Sequence, residues 1–375
     1  MKVILGGVLL LAVAMGIGRF SYTPLLPFMQ AELHLSNSTA GFIALSNYLG
    51  YFVGSLLCTF VVFKNKRFAL IAMILISMLS LLVLGMMENI WLIFIARFVS
   101  GITSAVIFIF TTQMILTYIQ TIQKNHFTGY LYSGVGVGIV GSSILILLFS
   151  SHLHTGGLWV LLAVMSFVIG IIGLYLIRAI PIMPVQPRTK GKNTVILYWL
   201  YFAYFLEGLG YIITGTFIVN VANSTPTIQF DSSLIWLIVG VAAIPSCMLF
   251  IQLAENFGYA SMLTLALVLQ AIGIALPALS ITNWSFFLSA FLFGFTFMGI
   301  TALTNAIVKQ INVSAIGILT ALYALGQIIG PAIAGFLLDR LHFSAAFIFA
   351  SVAVLIASLL VVIYSIFERK WILHA

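Results

Sequence analysis

Three ionisable side chains stand where the surrounding sequence leaves no water for them. Arg19, Arg97 and Glu207 lie deep in long apolar runs, whereas Glu32, Glu88, Asp231, Glu255, Asp339, Glu368 and the remaining basic residues fall in loops or near run ends. A charge at the centre of a bilayer costs at least ~2.5 kcal/mol, so such a group faces a wet cavity or a partner. A guanidinium presents a planar fork of donors that matches a carboxylate or phosphate, which makes Arg19 and Arg97 candidates for gripping an anionic group. A carboxyl that responds in opposite senses to burial and to a nearby arginine can load and release a proton, and Glu207 is the candidate for that step. The competing reading is that Glu207 neutralises one arginine and the set ties helices together. The two overlap, because a salt bridge that breaks on protonation is both a latch and a coupling device.

Other polar positions follow helical spacing. Tyr211 and Thr214 lie at i+4 and i+7 from Glu207, and Tyr22 lies one turn from Arg19. Gln113, Asn305 and Gln327 are the other amides expected at depth, with Asn47 and Tyr48 as weaker candidates. For each of these, interhelical packing competes with ligand contact.

The elements that carry these residues follow from composition. Of 375 residues, 63% are hydrophobic and 6% charged, against about a quarter charged in an ordinary soluble protein. That excludes a soluble fold. The net charge of +8 comes from residues scattered between apolar runs, so no basic face for nucleic acid is built. Cys58 and Cys247 lie in separate apolar runs, and His152 and His154 make a poor metal site, so neither a disulfide, a metal nor a cofactor is expected. No nucleophile elbow, phosphate loop, HExxH or CxxC pattern appears, which argues against an enzyme. The apolar run after Lys2 continues to Met29 without a small-residue cleavage site, so it reads as a first span rather than a secretory signal.

A spanning helix needs ~20 apolar residues. Twelve such runs are predicted, over 3–29, 39–63, 68–87, 91–118, 128–150, 157–178, 195–221, 233–253, 259–279, 284–308, 314–338 and 344–367. Lys and Arg accumulate in cytoplasmic loops. With the N-terminus inside, every basic residue outside the spans falls on the inner side except Arg340. Both termini are therefore expected in the cytoplasm, and the chain in the cell membrane. The polar, proline-bearing stretch over 179–194 reads as a cytoplasmic linker between an N-terminal six-helix half (1–178) and a C-terminal half (195–375). At 1.5 Å per residue, Arg19 lies about 24 Å and Glu207 about 20 Å from the inner surface, with Arg97 roughly 20 Å from it. All three are expected in one layer.

The halves carry an internal repeat. A shift of 192 residues places Gly16-Ile17-Gly18 on Gly208-Leu209-Gly210, and Gly134 and Gly138 on Gly326 and Gly330. A shift of 193 places Trp91 and Gly101 on Trp284 and Gly294. Parallel six-helix repeats of this kind build one class of alternating-access carriers.

Particular motifs then resemble the major facilitator superfamily. Arg97-Phe98-Val99-Ser100-Gly101 looks like its RxxxG element. Gly134 to Gly141, and Gly326 to Gly335 with Pro331, resemble the glycine-rich element associated with exchangers, although the fifth span lacks the proline. Lys64-Asn65-Lys66-Arg67 keeps the charge of the loop motif after the second span without its aspartate, and Leu253 to Gly258 keeps the shape of its counterpart. Gly16 to Pro27 is similar to the first span of the YbfB/YjiJ-type branch. The resemblance implies spans 1, 4, 7 and 10 around a central cavity, with Gly101, Gly134, Gly138, Gly326, Gly330 and Pro331 serving packing and gating.

The expected function is secondary active transport of a small organic solute, coupled to protons and in the direction of export. The excess of arginine in the cavity favours an anionic or zwitterionic substrate. Multidrug efflux of lipophilic cations is the alternative within transport, and a non-transporting membrane sensor or scaffold the alternative outside it. The partners expected are the substrate, protons and membrane lipid, with no nucleic acid and a monomeric protein.

Overall fold

The computed structural model describes residues 1–61, 63, 65–123, 127–180, 196–311 and 315–374, side chains from 369 onward excepted. The expected linker from 181 onward lies outside the described residues, as do Lys64, Lys124, Arg188, Lys190 and Lys192. The described chain is helical, and twelve helices are long and apolar enough to cross a membrane: spans 1 (Lys2–Leu33), 2 (Asn37–Phe60), 3 (Lys66–Met86), 4 (Ile90–Thr121), 5 (Phe127–Phe149), 6 (Thr155–Ala179), 7 (Leu197–Asn223), 8 (Ser233–Phe257), 9 (Tyr259–Leu279), 10 (Asn283–Ile311), 11 (Ile316–Arg340) and 12 (Phe343–Glu368). They coincide with the twelve predicted runs to within a few residues. Short polar caps start several of them: Ser36 accepts from the Thr39 amide, Asn65 from Arg67 and Phe68, and Asn89 from Trp91 and Leu92.

Spans 1 and 7 are the most enclosed, with 83% of their most apolar stretch buried, against 39% for span 3 and 33% for span 6. The first and last six spans meet along spans 5 and 8 and along spans 2 and 11, with the second part of span 1 against span 7 between them. Without a hydrophobic drive between helices in lipid, close approach through small residues supplies the packing. Gly134 and Gly138 of span 5 rest on span 1, and Gly326 and Gly330 of span 11 on span 7. A Cβ at any of the four would stand between 2.3 and 2.7 Å from a backbone oxygen of Val8, Ala12, Phe205 or Leu209. Glycines 192 residues apart thus make corresponding contacts. Gly101 does the same between spans 4 and 2, where a Cβ would fall 2.0 Å from the Asn47 oxygen.

Span 1 is not a continuous α-helix. Lys2–Leu11 is α-helical, Ala12–Ile17 is a π-helix, and the α-helix resumes over Tyr22–Leu33. The Gly18 and Phe20 amides each reach back five residues, to Val13 and Met15, at 2.9 Å. Pro24 contributes to the break, because it has no N–H for the Phe20 carbonyl four residues earlier. A wide turn of this kind re-aims side chains and is common at functional sites, and Arg19 sits at its end. In span 11, Pro331 leaves the Gln327 carbonyl without a helical donor in the same way.

At one end of the bundle the two groups of spans are stitched together. Asp339, at the end of span 11, accepts the Asn37 and Ser38 amides at 3.0 and 2.9 Å and also the Ser38 hydroxyl, capping span 2 from across the interface. The exposed N–H groups and dipole of a helix start favour such a carboxylate. Thr23 donates to the Gly215 oxygen below it, and Asn220 stands 3.4 Å from Asn37. Toward the other end of span 11, Gly317 has nothing near a would-be Cβ.

Asp339→Ala is expected to loosen the stitched end. With Cys58 and Cys247 replaced and a cysteine placed at buried Val221, maleimide labelling should rise about fivefold, the equivalent of roughly 1 kcal/mol for charge-assisted bonds at an exposed site. An unchanged rate would mean that the carboxylate does not hold this end closed.

Candidate functional site

Arg19 is 3% exposed and lies where spans 1, 2 and 11 meet. Its Nη2 donates to Gln327 Oε1 of span 11 at 2.5 Å. Its guanidinium lies over the rings of Tyr51 (4.3 Å), Tyr48 (5.0 Å) and Phe20 (5.4 Å), and Nε has no partner. Among the described residues no carboxylate pairs with it; the one ion pair there is His154 with Glu32, at 3.7 Å. The cation is therefore held by ring faces and one amide oxygen, with donors to spare.

Gln327 passes the contact on. Its Nε2 donates to the Tyr211 hydroxyl of span 7 at 2.8 Å. The Tyr211 ring stacks on Tyr323 (5.6 Å, 9° between planes) and lies parallel to Phe293 and Phe297 of span 10 at 6.0 and 6.3 Å. Tyr323 stacks in turn on Tyr204, at 4.2 Å and 13°. The result is a slab of parallel rings running from the Arg19 amide contact into spans 7, 10 and 11.

Arg97 is fully buried and faces a different task. Its Nη1 and Nη2 stand 3.4 Å from the carbonyls of Gly18 and Arg19, which the break in span 1 leaves without α-helical donors. Ser100 donates to the same Gly18 carbonyl at 2.7 Å, and Asn47 donates to the Arg97 carbonyl at 2.9 Å. Tyr22 was expected beside Arg19; its ring instead lies 4.7 Å from the Arg97 guanidinium, and its hydroxyl donates to Ala40. Arg97 and Tyr22 thus brace the backbone that presents Arg19.

Glu207 is fully buried and, among the described residues, pairs with neither arginine, against the reading that it neutralises one of them. Equal depth does not fix direction around the helix axis. Glu207 points into the last six spans, into a cavity of about 10 Å³ bordered by Leu263, Leu267, Ile300, Thr304 and Val361. Such a volume holds about one water. Gln270 of span 9 stands against the carboxyl, yet both oxygens of Glu207 and both polar atoms of Gln270 lack a completed hydrogen bond.

The remaining expected positions separate. Thr214 is fully buried with its hydroxyl unpartnered. Asn305 is half-buried and donates to the Thr301 oxygen at 2.9 Å. Gln113 is not deep: it is exposed and accepts from Lys66 Nζ at 3.0 Å. Span 4 runs for 32 residues, and at 1.5 Å per residue Gln113 lies about 35 Å along it, past the far side of a ~30 Å core. Sequence reasoning missed Tyr51, Tyr204, Tyr323 and Gln270. Tyr323 precedes Gln327 by one helical turn and Gln270 is an amide inside an apolar run, signals of the kind that picked out Glu207.

A family profile described as "Uncharacterised MFS-type transporter YbfB" matches residues 11–362. No curated protein matches the chain by sequence. Among solved structures, the nucleoside transporter NupG is similar in fold, with a TM-score of 0.72, 14% identity, and coverage of 96% of this chain and 98% of that one. A point mutant of NupG gives a TM-score of 0.73 at 11% identity, covering 97% of this chain and 99% of that one.

Proposed function

This chain belongs to the YbfB-type family of major facilitator transporters, and we propose that it exports a small organic anion or zwitterion in exchange for protons by alternating access. The observation that carries the reading is Arg19: a guanidinium buried between the two groups of spans, with no carboxylate beside it among the described residues and donors left over. A buried unpaired cation is costly, and an anionic ligand arriving there would be stabilised by what the empty site lacks. Gln327, Tyr48, Tyr51 and Tyr211 would supply the rest of the cradle, and Arg97 would keep it in shape.

Glu207 is the proton-coupling group in this reading. Among the described residues it pairs with neither arginine and borders a small cavity that Arg19 does not line, so proton and substrate would occupy separate sites. That separation weighs against efflux of lipophilic cations bound directly by Glu207, since its cavity admits about one water. Export rather than uptake rests on the glycine-rich, proline-bearing element of span 11. We place the protein in the cell membrane as a monomer with both termini cytoplasmic, the linker at 179–194 joining halves 1–178 and 195–375, and the Asp339 end outside. The structure would then represent a state closed to the outside.

Ligand class is tested by thermal stabilisation of the purified protein with matched organic anions, zwitterions, lipophilic cations and nucleosides, the last because NupG carries that name. A ligand that binds the folded state at about 100 times its Kd adds roughly 2.7 kcal/mol. Stabilisation by anions or zwitterions is expected. Stabilisation confined to cations or to nucleosides would overturn the assignment of Arg19 as an anion site.

A further inference from the structure

The proposed exchange needs substrate occupancy and proton occupancy to sense each other, although Arg19 and Glu207 do not touch. We propose that Gln327 and Tyr323 of span 11 are positioning residues that transmit the state of Arg19 to Glu207. This relay rests on the proton-coupled reading above and adds residues to it.

The connection is continuous. Arg19 donates to Gln327, Gln327 donates to the Tyr211 hydroxyl, and the Tyr211 ring stacks on Tyr323 at 5.6 Å. Tyr323 then lies directly on the turn of span 7 that carries Glu207: a Cβ at Gly208 would stand 2.5 Å from its carbonyl oxygen and 2.9 Å from its ring. Its other stacking neighbour, Tyr204, borders the Glu207 cavity. An anion on Arg19 takes the place of Gln327 Oε1, because both compete for the same guanidinium donor. The freed amide turns, its bond to Tyr211 changes, and the stacked rings of Tyr211, Tyr323 and Tyr204 shift as a packed unit rather than bending independently. Pro331 leaves the Gln327 carbonyl without its helical bond, so this turn of span 11 yields more easily than its neighbours.

The titratable groups around Glu207 are few. Tyr204 and Tyr211 lie on its own span and Tyr323 on span 11, whereas spans 9, 10 and 12 present Gln270, Leu263, Leu267, Ile300, Thr304 and Val361, none of which titrates. A change sensed at Glu207 from Arg19 therefore has the tyrosines as its path.

The test is infrared difference spectroscopy of the full-length protein in nanodiscs, reading the carboxyl band that disappears in Glu207→Gln. Arg19→Gln is expected to shift the frequency or the titration midpoint of that band, and the shift is expected to vanish when Tyr323→Leu, which removes the stacked ring, is also present. Gln327→Met removes the same link one bond earlier and serves where the tyrosine variant does not fold. An equal shift with and without Tyr323, or no shift on changing Arg19, overturns the relay. Loss of the relay with proton exchange intact in wild-type vesicles would leave the transport reading standing, whereas wild-type protein that moves no protons would remove the reading on which the relay rests.

Discussion

Arg19→Ala is expected to lower affinity for whichever organic anion stabilises the wild-type protein by about 2 to 4 kcal/mol, or roughly 30- to 1,000-fold. The size follows from the setting. The guanidinium is 3% exposed, is braced by ring faces, and has among the described residues no carboxylate that an incoming anion must displace. Arg19→Lys is expected to restore little of the loss, since an ammonium cannot present the planar fork and would leave Gln327 in competition for a single point charge. Folding is a separate readout, because Arg97 and Ser100 still hold the Gly18 carbonyl in the variant. Equilibrium binding on material that keeps the wild-type elution profile checks the prediction. Retention of full affinity would mean that the anion is held elsewhere.

The second large effect concerns Glu207. Glu207→Gln keeps the shape of the side chain in a closely packed cavity and removes its capacity to carry a proton. Proton-driven net transport is expected to fall to the level of membranes lacking the protein, while substrate-for-substrate exchange, which needs no net proton movement, continues. The amide can also bond to Gln270, whose polar atoms lack a completed hydrogen bond in the wild type, so loss of stability is not expected. Unchanged proton coupling in this variant would remove Glu207 from the mechanism, and loss of both activities would assign it to packing instead.

Much of the architecture was readable from residue order because a bilayer imposes one dominant rule. Backbone groups with no water must bond within the helix, so each apolar run of sufficient length became a span, and Asn37, Lys66 and Ile90 mark starts within a few residues of expectation. The glycine pairs of spans 5 and 11 were legible for a related reason: close packing in lipid selects small residues, and their spacing survives in both copies. Sidedness within a helix was not legible. Nothing in an almost uniformly apolar run tells which direction Glu207 faces, so equal depth suggested a meeting with Arg19 that the packing of span 7 on spans 9, 10 and 12 does not allow. Depth itself failed for Gln113, because span 4 is longer than the membrane requires. The π-helix in span 1 was hidden too. The five-residue hydrogen bonds to Val13 and Met15, and the close approach of Gly138 to Gly16 beside them, leave no periodic mark in the residue order.

Charge class and proton coupling meet in a single measurement: a pH gradient preformed across inverted membrane vesicles, challenged with matched panels of organic anions, zwitterions, lipophilic cations and neutral nucleosides, with vector-only vesicles alongside. Exchange through Arg19 and Glu207 predicts collapse of the gradient by anions or zwitterions, abolished by Glu207→Gln. Collapse by cations or nucleosides alone, or an undiminished response in Glu207→Gln, would contradict it.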